Sequence, residues 1–469
     1  MPDPTVARLH EWLCEHETEL LKDTIDMLRI PSLESDPEPN APFGKENRRA
    51  LDLALSLGNR YGFKTKDIEG YCGYAEFGSG KPLIVSLGHL DVVPTGHGWK
   101  HEPFGAEIDD GYIYARGSTD DKGPTMASFY AARAIKECVP EISARIRVVF
   151  GCNEESGMEC VKKYVEVEEQ PTFGVAPDSD WPLYHAEKGI ANLKIEVVPP
   201  DHDFQLMEVR GGQRPNIVID ACSATLSVGS ASKKHVEEKL GSEWDKNLSF
   251  EWTDSRTLKI EAKGKACHGA RPYGGDSAAT RIFRFVHELA PVEIAKFYEQ
   301  LFWSTHPAGV GIGIHGRDDV SEDLTSNLGI VSSDGGTLKL LFNVRYPVTW
   351  KGNHLRELCE RKLKEFKGKW TLVEMSDSPS LYFPLDHLLV KTIREVVKEE
   401  TGEEKAPGVM GGGTYARMIP NTVSIGTGWE GDGEAHETDE RLKVQHLFKM
   451  SRIYAHILYR LAAEASSAK

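Results

Sequence analysis

The residues of this 469-residue chain best suited to chemistry are imidazoles and carboxylates in short clusters. They are His89 and Asp91 in "GHLDVVP", the doubled Asp120 and Asp121 in "YARGSTDDKGPTM", Glu154 and Glu155 in "NEES", Asp178 in "APDSDWP" and His436 in "AHETDE". Adjacent carboxylates repel unless something positive compensates them. In a solvated loop water does so; at a working site a metal ion does. Imidazole and carboxylate together suit zinc or a similar divalent ion. Taken singly, each cluster has an ordinary explanation. A His-x-Asp is often a local hydrogen bond, and a Glu-Glu pair is usually a solvated helix start. No P-loop, Gly-x-Ser-x-Gly elbow or His-Glu-x-x-His helix offers a competing chemistry.

What favours the metal is where the clusters fall. "KPLIVSLGHLDVV", "ARIRVVFGCNEES", "FGVAPDSDWP" and "NTVSIGTGWEGDGEAHE" each read as an apolar strand running into a polar loop. Asp120 and Asp121 precede the helical stretch "GPTMASFYAARAIKECV", which has a proline near its start. Strand–helix–strand alternation predicts a doubly wound α/β domain with a largely parallel core. Ligands of such sheets collect at the carboxyl ends of the strands. The middle of the chain alternates differently, with strand-like "ANLKIEVV", "RTLKIEAKGKACHG", "TLKLLFNVRYPV" and "KWTLVEM" beside two helical stretches. It predicts an inserted α+β domain over residues 190–383, splitting the first domain into 1–189 and 384–469. Val6, Leu9, Leu13, Leu20, Ile25 and Leu28 recur at helical spacing, predicting an amphipathic N-terminal helix.

Composition narrows the function classes. The formal net charge is −16, from 56 basic and 72 acidic residues, so no basic excess exists to meet nucleic-acid phosphates. No apolar run is long enough for a membrane span, and the acidic N-terminus lacks a signal pattern. The eight cysteines are scattered without a C-x-x-C pair, which predicts reduced thiols and a cytoplasmic location. Cys152 and Cys267 read as small fillers.

With "GKACHGARPYGGDSA", "NVRYP" and "GGGTYAR" added, these motifs resemble the M20 family of dinuclear metallopeptidases. That family includes carnosinases, aminoacylases and carboxypeptidase G. In order and wording the chain is most similar to the bacterial PepV-type dipeptidases, over residues from about Leu28 to the last helix. The resemblance implies a zinc-peptidase catalytic domain, an inserted lid domain and two divalent ions, zinc first with manganese or cobalt as alternatives. It implies His89 with Asp178 on one ion, Glu155 with His436 on the other, and Asp120 bridging, with a cis peptide after it. Asp91 would orient His89 by accepting its second N–H.

The implied reaction is hydrolysis of an unblocked dipeptide by a metal-bridging hydroxide. Glu154 would be the general base, and His268 would stabilise the developing oxyanion. Arg345, Asn216, Gly413 and Thr414 would hold the substrate, Arg345 at its free carboxylate. Read without the resemblance, Arg345 is a strand-edge arginine and "GGGTYAR" a plain turn. Asn153 departs from the family, standing where an acidic residue often precedes the glutamate pair, and "DHDFQLMEVRGGQRP" is idiosyncratic. Two alternatives stay open: an amidohydrolase acting on N-acyl amino acids or N-succinyl-diaminopimelate, and a non-catalytic peptide-binding protein. A monomer is favoured over a homodimer, because a large insert lets one chain supply His268.

Overall fold

The computed structural model describes residues 3–467, which divide into two compact units. The first comprises residues 3–185, 383–408 and 414–467. The second comprises Ala186–Tyr382 together with Val409–Gly413, so the glycines of "GGGTYAR", expected with the first domain, belong to the second.

The first unit is built on a sheet whose strands lie in the order Lys64–Ile68, Cys72–Gly78, Arg145–Gly151, Leu83–His89, Phe173–Ser179, Thr422–Gly426 and Leu183–Glu187. The strands from Arg145–Gly151 to Thr422–Gly426 run parallel, and the flanking pairs are antiparallel. Every residue of Leu83–His89 is buried, so both faces of the strand are covered, as a parallel core demands. Helices Lys122–Cys138 and Val444–Ser467 pack against it. The first is buried almost all round from Lys122 to Ile135, which explains its run of Ala, Met, Phe and Ile. The helix starts so close to the strand that only glycine fits at position 88. A Cβ there would collide with Thr125 Oγ1 and come within 2.8 Å of Asp121 Oδ2.

The N-terminal amphipathic stretch forms two helices, Pro4–Glu15 and Glu17–Leu28, rather than one. His16 breaks it at φ −109° and ψ 11°; its ring stacks on Trp12 at 3.7 Å, with Nδ1 2.7 Å from the Trp12 carbonyl oxygen. The first helix is also fastened by charge. Glu400 Oε1 lies 3.2 Å from His10 Nε2 and 2.6 Å from His456 Nδ1. Burial alone would raise the Glu400 carboxyl, but the two histidines hold it down to about 2. No helix among the described residues is long and apolar enough to cross a membrane.

The second unit is an eight-stranded antiparallel sheet. Its strands alternate, as in Thr257–Lys263, where every second residue is buried. The buried face meets helices Ala278–Leu289 and Val292–Ser304 through Leu193, Ile195, Leu226, Ile260, Ile282, Phe283 and Phe297. The stretch that looked idiosyncratic supplies the strand Phe204–Gly211.

Two outcomes follow from this packing. Gly88→Ala should destabilise the protein by about 1–3 kcal/mol in urea unfolding, the usual cost of forcing an added methyl into a filled interior. Glu400→Gln should be less stable than the parent at pH 7. Because the folded carboxyl is depressed, its contribution is present above the ordinary glutamate range and lost as pH falls through about 2. The difference in unfolding midpoint between parent and variant should therefore shrink over that interval.

Candidate metal centre

Parallel pairing sets the frame. His89 ends its strand opposite Gly151 in the register, so the loop carrying Glu154 and Glu155 leaves the sheet beside it. Asp178 lies near the end of the next strand, Phe173–Ser179. Asp120 comes from the loop before helix Lys122–Cys138, and His436 from the loop after Thr422–Gly426. At this rim Asp120 faces both imidazoles, one with each oxygen. Oδ1 is 2.9 Å from His89 Nε2, and Oδ2 is 3.0 Å from His436 Nε2. His436 Nε2 is also 3.0 Å from Glu155 Oε1. Donor atoms of His89, Asp120 and Glu155 all lie within 4.8 Å of one another.

The electrostatics report crowded negative charge. Burial pushes the Asp178 carboxyl well above its ordinary range, and Asp120 and Glu154 push it further. Burial also raises Glu154, to about 7, with Glu155, Asp91 and Asp120 adding to the shift against the pull of His89. Asp120 goes the other way: its burial is outweighed by hydrogen bonds to His436 and His89, which lower it. Hydrogen bonds to Asp120 first and Glu155 second raise His436 to about 10. His89 is raised well above its ordinary value, because Asp120 and Asp91 outweigh its burial. Imidazole nitrogens and carboxylate oxygens converging in a half-buried, acid-rich pocket fit a divalent cation. A cavity of about 710 Å³ opens onto Asp120 and Asp178, walled by Trp181 and Trp429, which stack at 5.2 Å.

Asp91 stands against the second nitrogen of His89, chiefly through its main chain. His89 Nδ1 is 3.0 Å from the main-chain oxygen of Asp91 and 3.5 Å from its carboxylate, so the carbonyl is the closer partner. The carboxylate is turned toward the neighbouring loop, where it accepts the backbone N–H groups of Glu154 at 3.0 Å and Glu155 at 3.1 Å. One residue thus fixes both the ring and the glutamate pair. Asp121, reached through a cis peptide from Asp120, points into the interior. Its Oδ2 accepts the His89 N–H at 3.1 Å and the Thr125 hydroxyl at 3.0 Å. Tyr415 went unnoticed in the sequence although it lies within "GGGTYAR". Its buried ring meets the His89 ring edge-on at 6.0 Å, and its hydroxyl is 2.6 Å from Cys160 Sγ. All eight cysteines are free, and burial drives the Cys152 thiol well above its ordinary range, as befits a filler.

The second unit gathers candidates of its own. An isolated bridge pairs Ile217 with His268, and Gly269 N–H donates to the Asn216 carbonyl at 2.7 Å, so Asn216 and His268 are neighbours. Ala270 N–H donates to His268 Nδ1 at 3.3 Å, which leaves Nε2 to carry the proton of the neutral ring. Burial lowers the His268 pKa, and the nearby charges of Arg345 and Arg271 lower it further. Arg345 is buried; its Nη1 donates to the Gly411 carbonyl at 3.2 Å and its Nε to Asn343 Oδ1 at 3.1 Å. Gly413 belongs to this unit, whereas Thr414 belongs to the first. The Thr414 hydroxyl accepts the Ala416 N–H and caps the short turn that carries Tyr415.

Comparison with known proteins identifies the family. The family model for "Peptidase family M20/M25/M40" matches residues 85–460. A Bacillus subtilis (strain 168) protein named "Putative dipeptidase YtjP" is 36% identical over 462 residues, covering 95% of this chain and 97% of its own. A Staphylococcus epidermidis protein named "Putative dipeptidase" is 31% identical over 468 residues, covering 97% and 99%. Among solved structures, human carnosine dipeptidase 1 shares the fold with a TM-score of 0.56 at 16% identity, covering 99% of this chain and 100% of its own. The chain belongs to peptidase family M20/M25/M40 and is a peptidase.

Proposed function

We propose that the chain is a metal-dependent dipeptidase that cleaves unblocked dipeptides. The observation that carries the reading is the arrangement of Asp120, whose two carboxylate oxygens each address a different histidine, with Glu154 on the adjoining loop. The names of the Bacillus and Staphylococcus relatives point to the same substrate class.

His89 with Asp178, and Glu155 with His436, would hold two divalent ions that share Asp120, with zinc, manganese and cobalt all suited to these donors. Bound there, such ions lower the pKa of a water and polarise the scissile carbonyl. Glu154 has a carboxyl raised to about 7, so near neutral pH it can take a proton from the attacking water and return it to the leaving amine. Asp91 keeps Glu154 in place by holding its main-chain N–H. In the second unit the neutral His268 ring presents one N–H donor, suited to an oxyanion, and Arg345 supplies a planar cation suited to a free carboxylate. Asn216, Gly413 and Thr414 are assigned to the substrate with them. The cavity of about 710 Å³ beside Asp120 and Asp178 is large enough for a dipeptide's side chain. The acidic charge and free thiols support a cytoplasmic protein, and the size of the insert supports a monomer.

An amidohydrolase of N-acyl amino acids would use the same ions, so substrate choice separates the two readings. With metal supplied, amino acids should be released from unblocked dipeptides much faster than from N-acetyl or N-succinyl amino acids; the reverse order would replace the dipeptidase reading. Glu154→Gln should keep its metal by elemental analysis while turnover falls about 10²–10⁴-fold, the usual contribution of a general base. Near-normal turnover in that variant would remove the role given to Glu154.

A further inference from the structure

We propose that the buried ion pair between Arg116 and Glu440 positions the metal centre by locking the loop of Asp120 to the loop of His436. This rests on reading those residues as metal ligands. Both partners are 1% exposed, and Arg116 Nη1 meets Glu440 Oε2 at 2.7 Å. Neither touches the pocket's donor atoms; each works through main chain, with the Thr119 hydroxyl as the one side-chain contact to the ligand-bearing loops.

Glu440 Oε1 collects donors from one loop. It accepts Gly117 N–H at 3.1 Å, Thr119 N–H at 2.9 Å, the Thr119 hydroxyl at 2.9 Å and Asp120 N–H at 3.3 Å. The backbone that presents the shared carboxylate is thus strung along a single oxygen. Arg116 does the converse with carbonyls from two other segments. Its guanidinium donates to Glu437 O at 3.1 Å and His436 O at 3.4 Å, and to Pro94 O at 3.3 Å and Thr95 O at 3.4 Å. Pro94 and Thr95 continue the segment that begins with His89 and Asp91. Trp99 covers the guanidinium with its ring centroid at 5.3 Å. One pair therefore fastens the segments that carry His89, Asp120 and His436.

The His436 loop needs such a fastener. His436 has φ 67° and Asp439 has φ 55°, a left-handed conformation that non-glycine residues adopt at a cost. The ring of His436 is half exposed, so side-chain packing does little to aim it. Its own carbonyl, held by Arg116, does more. A buried ion pair adds little net stability over an apolar pair of the same size. Its retention here is explained by the geometry it imposes on either side of the ligands.

The test is metal titration of the metal-free protein by calorimetry, at a temperature where circular dichroism shows each variant folded. Glu440→Gln and Arg116→Lys should bind one of the two ions about 10–100-fold more weakly, the usual effect of losing a group that orients a ligand. The absorption bands of the cobalt-loaded protein should shift in the same variants. Arg116→Lys should not rescue, because it keeps the charge and loses the fork. Folded variants that bind both ions as tightly as the parent, with unchanged cobalt bands, would overturn the proposal. Where those variants do not fold, Thr119→Val removes only the hydroxyl donor to Glu440 and should weaken one ion several-fold; unchanged affinity there would overturn it equally. A parent protein that takes up no divalent ion would instead sink the metal-centre reading itself.

Discussion

Mutual repulsion of carboxylates at one rim of a parallel sheet is the constraint around which the first unit is organised. Asp91, Asp120, Asp121, Glu154, Glu155 and Asp178 are drawn together there, against the imidazoles of His89 and His436. In a low-dielectric interior such crowding is far more costly than in water. The fold limits the cost by turning some of the acids away from the pocket. Asp91 spends its charge on the N–H groups of Glu154 and Glu155, and Asp121 on that of His89. The remaining acids face the pocket, where a bound cation would offset their charge. The same backbone donors that soothe Asp91 and Asp121 also set the direction of the ligands, so neutralisation and aiming are one act.

Much of this is legible in the sequence. Apolar runs ending in His, Glu or Asp predict strands with polar rims, and the parallel core places those rims together. The paired acids at 120–121 and 154–155 made a cation the natural explanation. What the sequence did not reveal is which atom of a residue does the work. The spacing of His89 and Asp91 suits either a carboxylate or a carbonyl as the partner of the ring, and only the backbone path decides for the carbonyl. Arg116 and Glu440 lie within the motifs of Asp120 and His436, yet 324 residues separate them and no local periodicity links them. Tyr415 carries no signal of its own, because the glycines before it point to main-chain N–H groups instead. The break at His16 was hidden because the apolar spacing runs through it almost undisturbed.

The second unit was legible in another way. Alternation of buried and exposed residues identifies strands with one covered face, strictly in Thr257–Lys263 and with one interruption, between Leu206 and Glu208, in Phe204–Gly211. The neighbourhood of Asn216 and His268 depends on an isolated bridge between Ile217 and His268 and on the hydrogen bond from Gly269 to Asn216, long-range contacts with no signature in either segment. The electrostatic link from Arg345 to His268 is of the same kind.

The membership of Val409–Gly413 in the second unit has a practical consequence for anyone recombining this chain with its relatives. A chimera made by swapping the block Ala186–Tyr382 alone would leave a foreign pentapeptide behind. Arg345 of the new block would then seek the carbonyl of Gly411 on a segment inherited from the other parent. Faithful exchange needs two grafts rather than one.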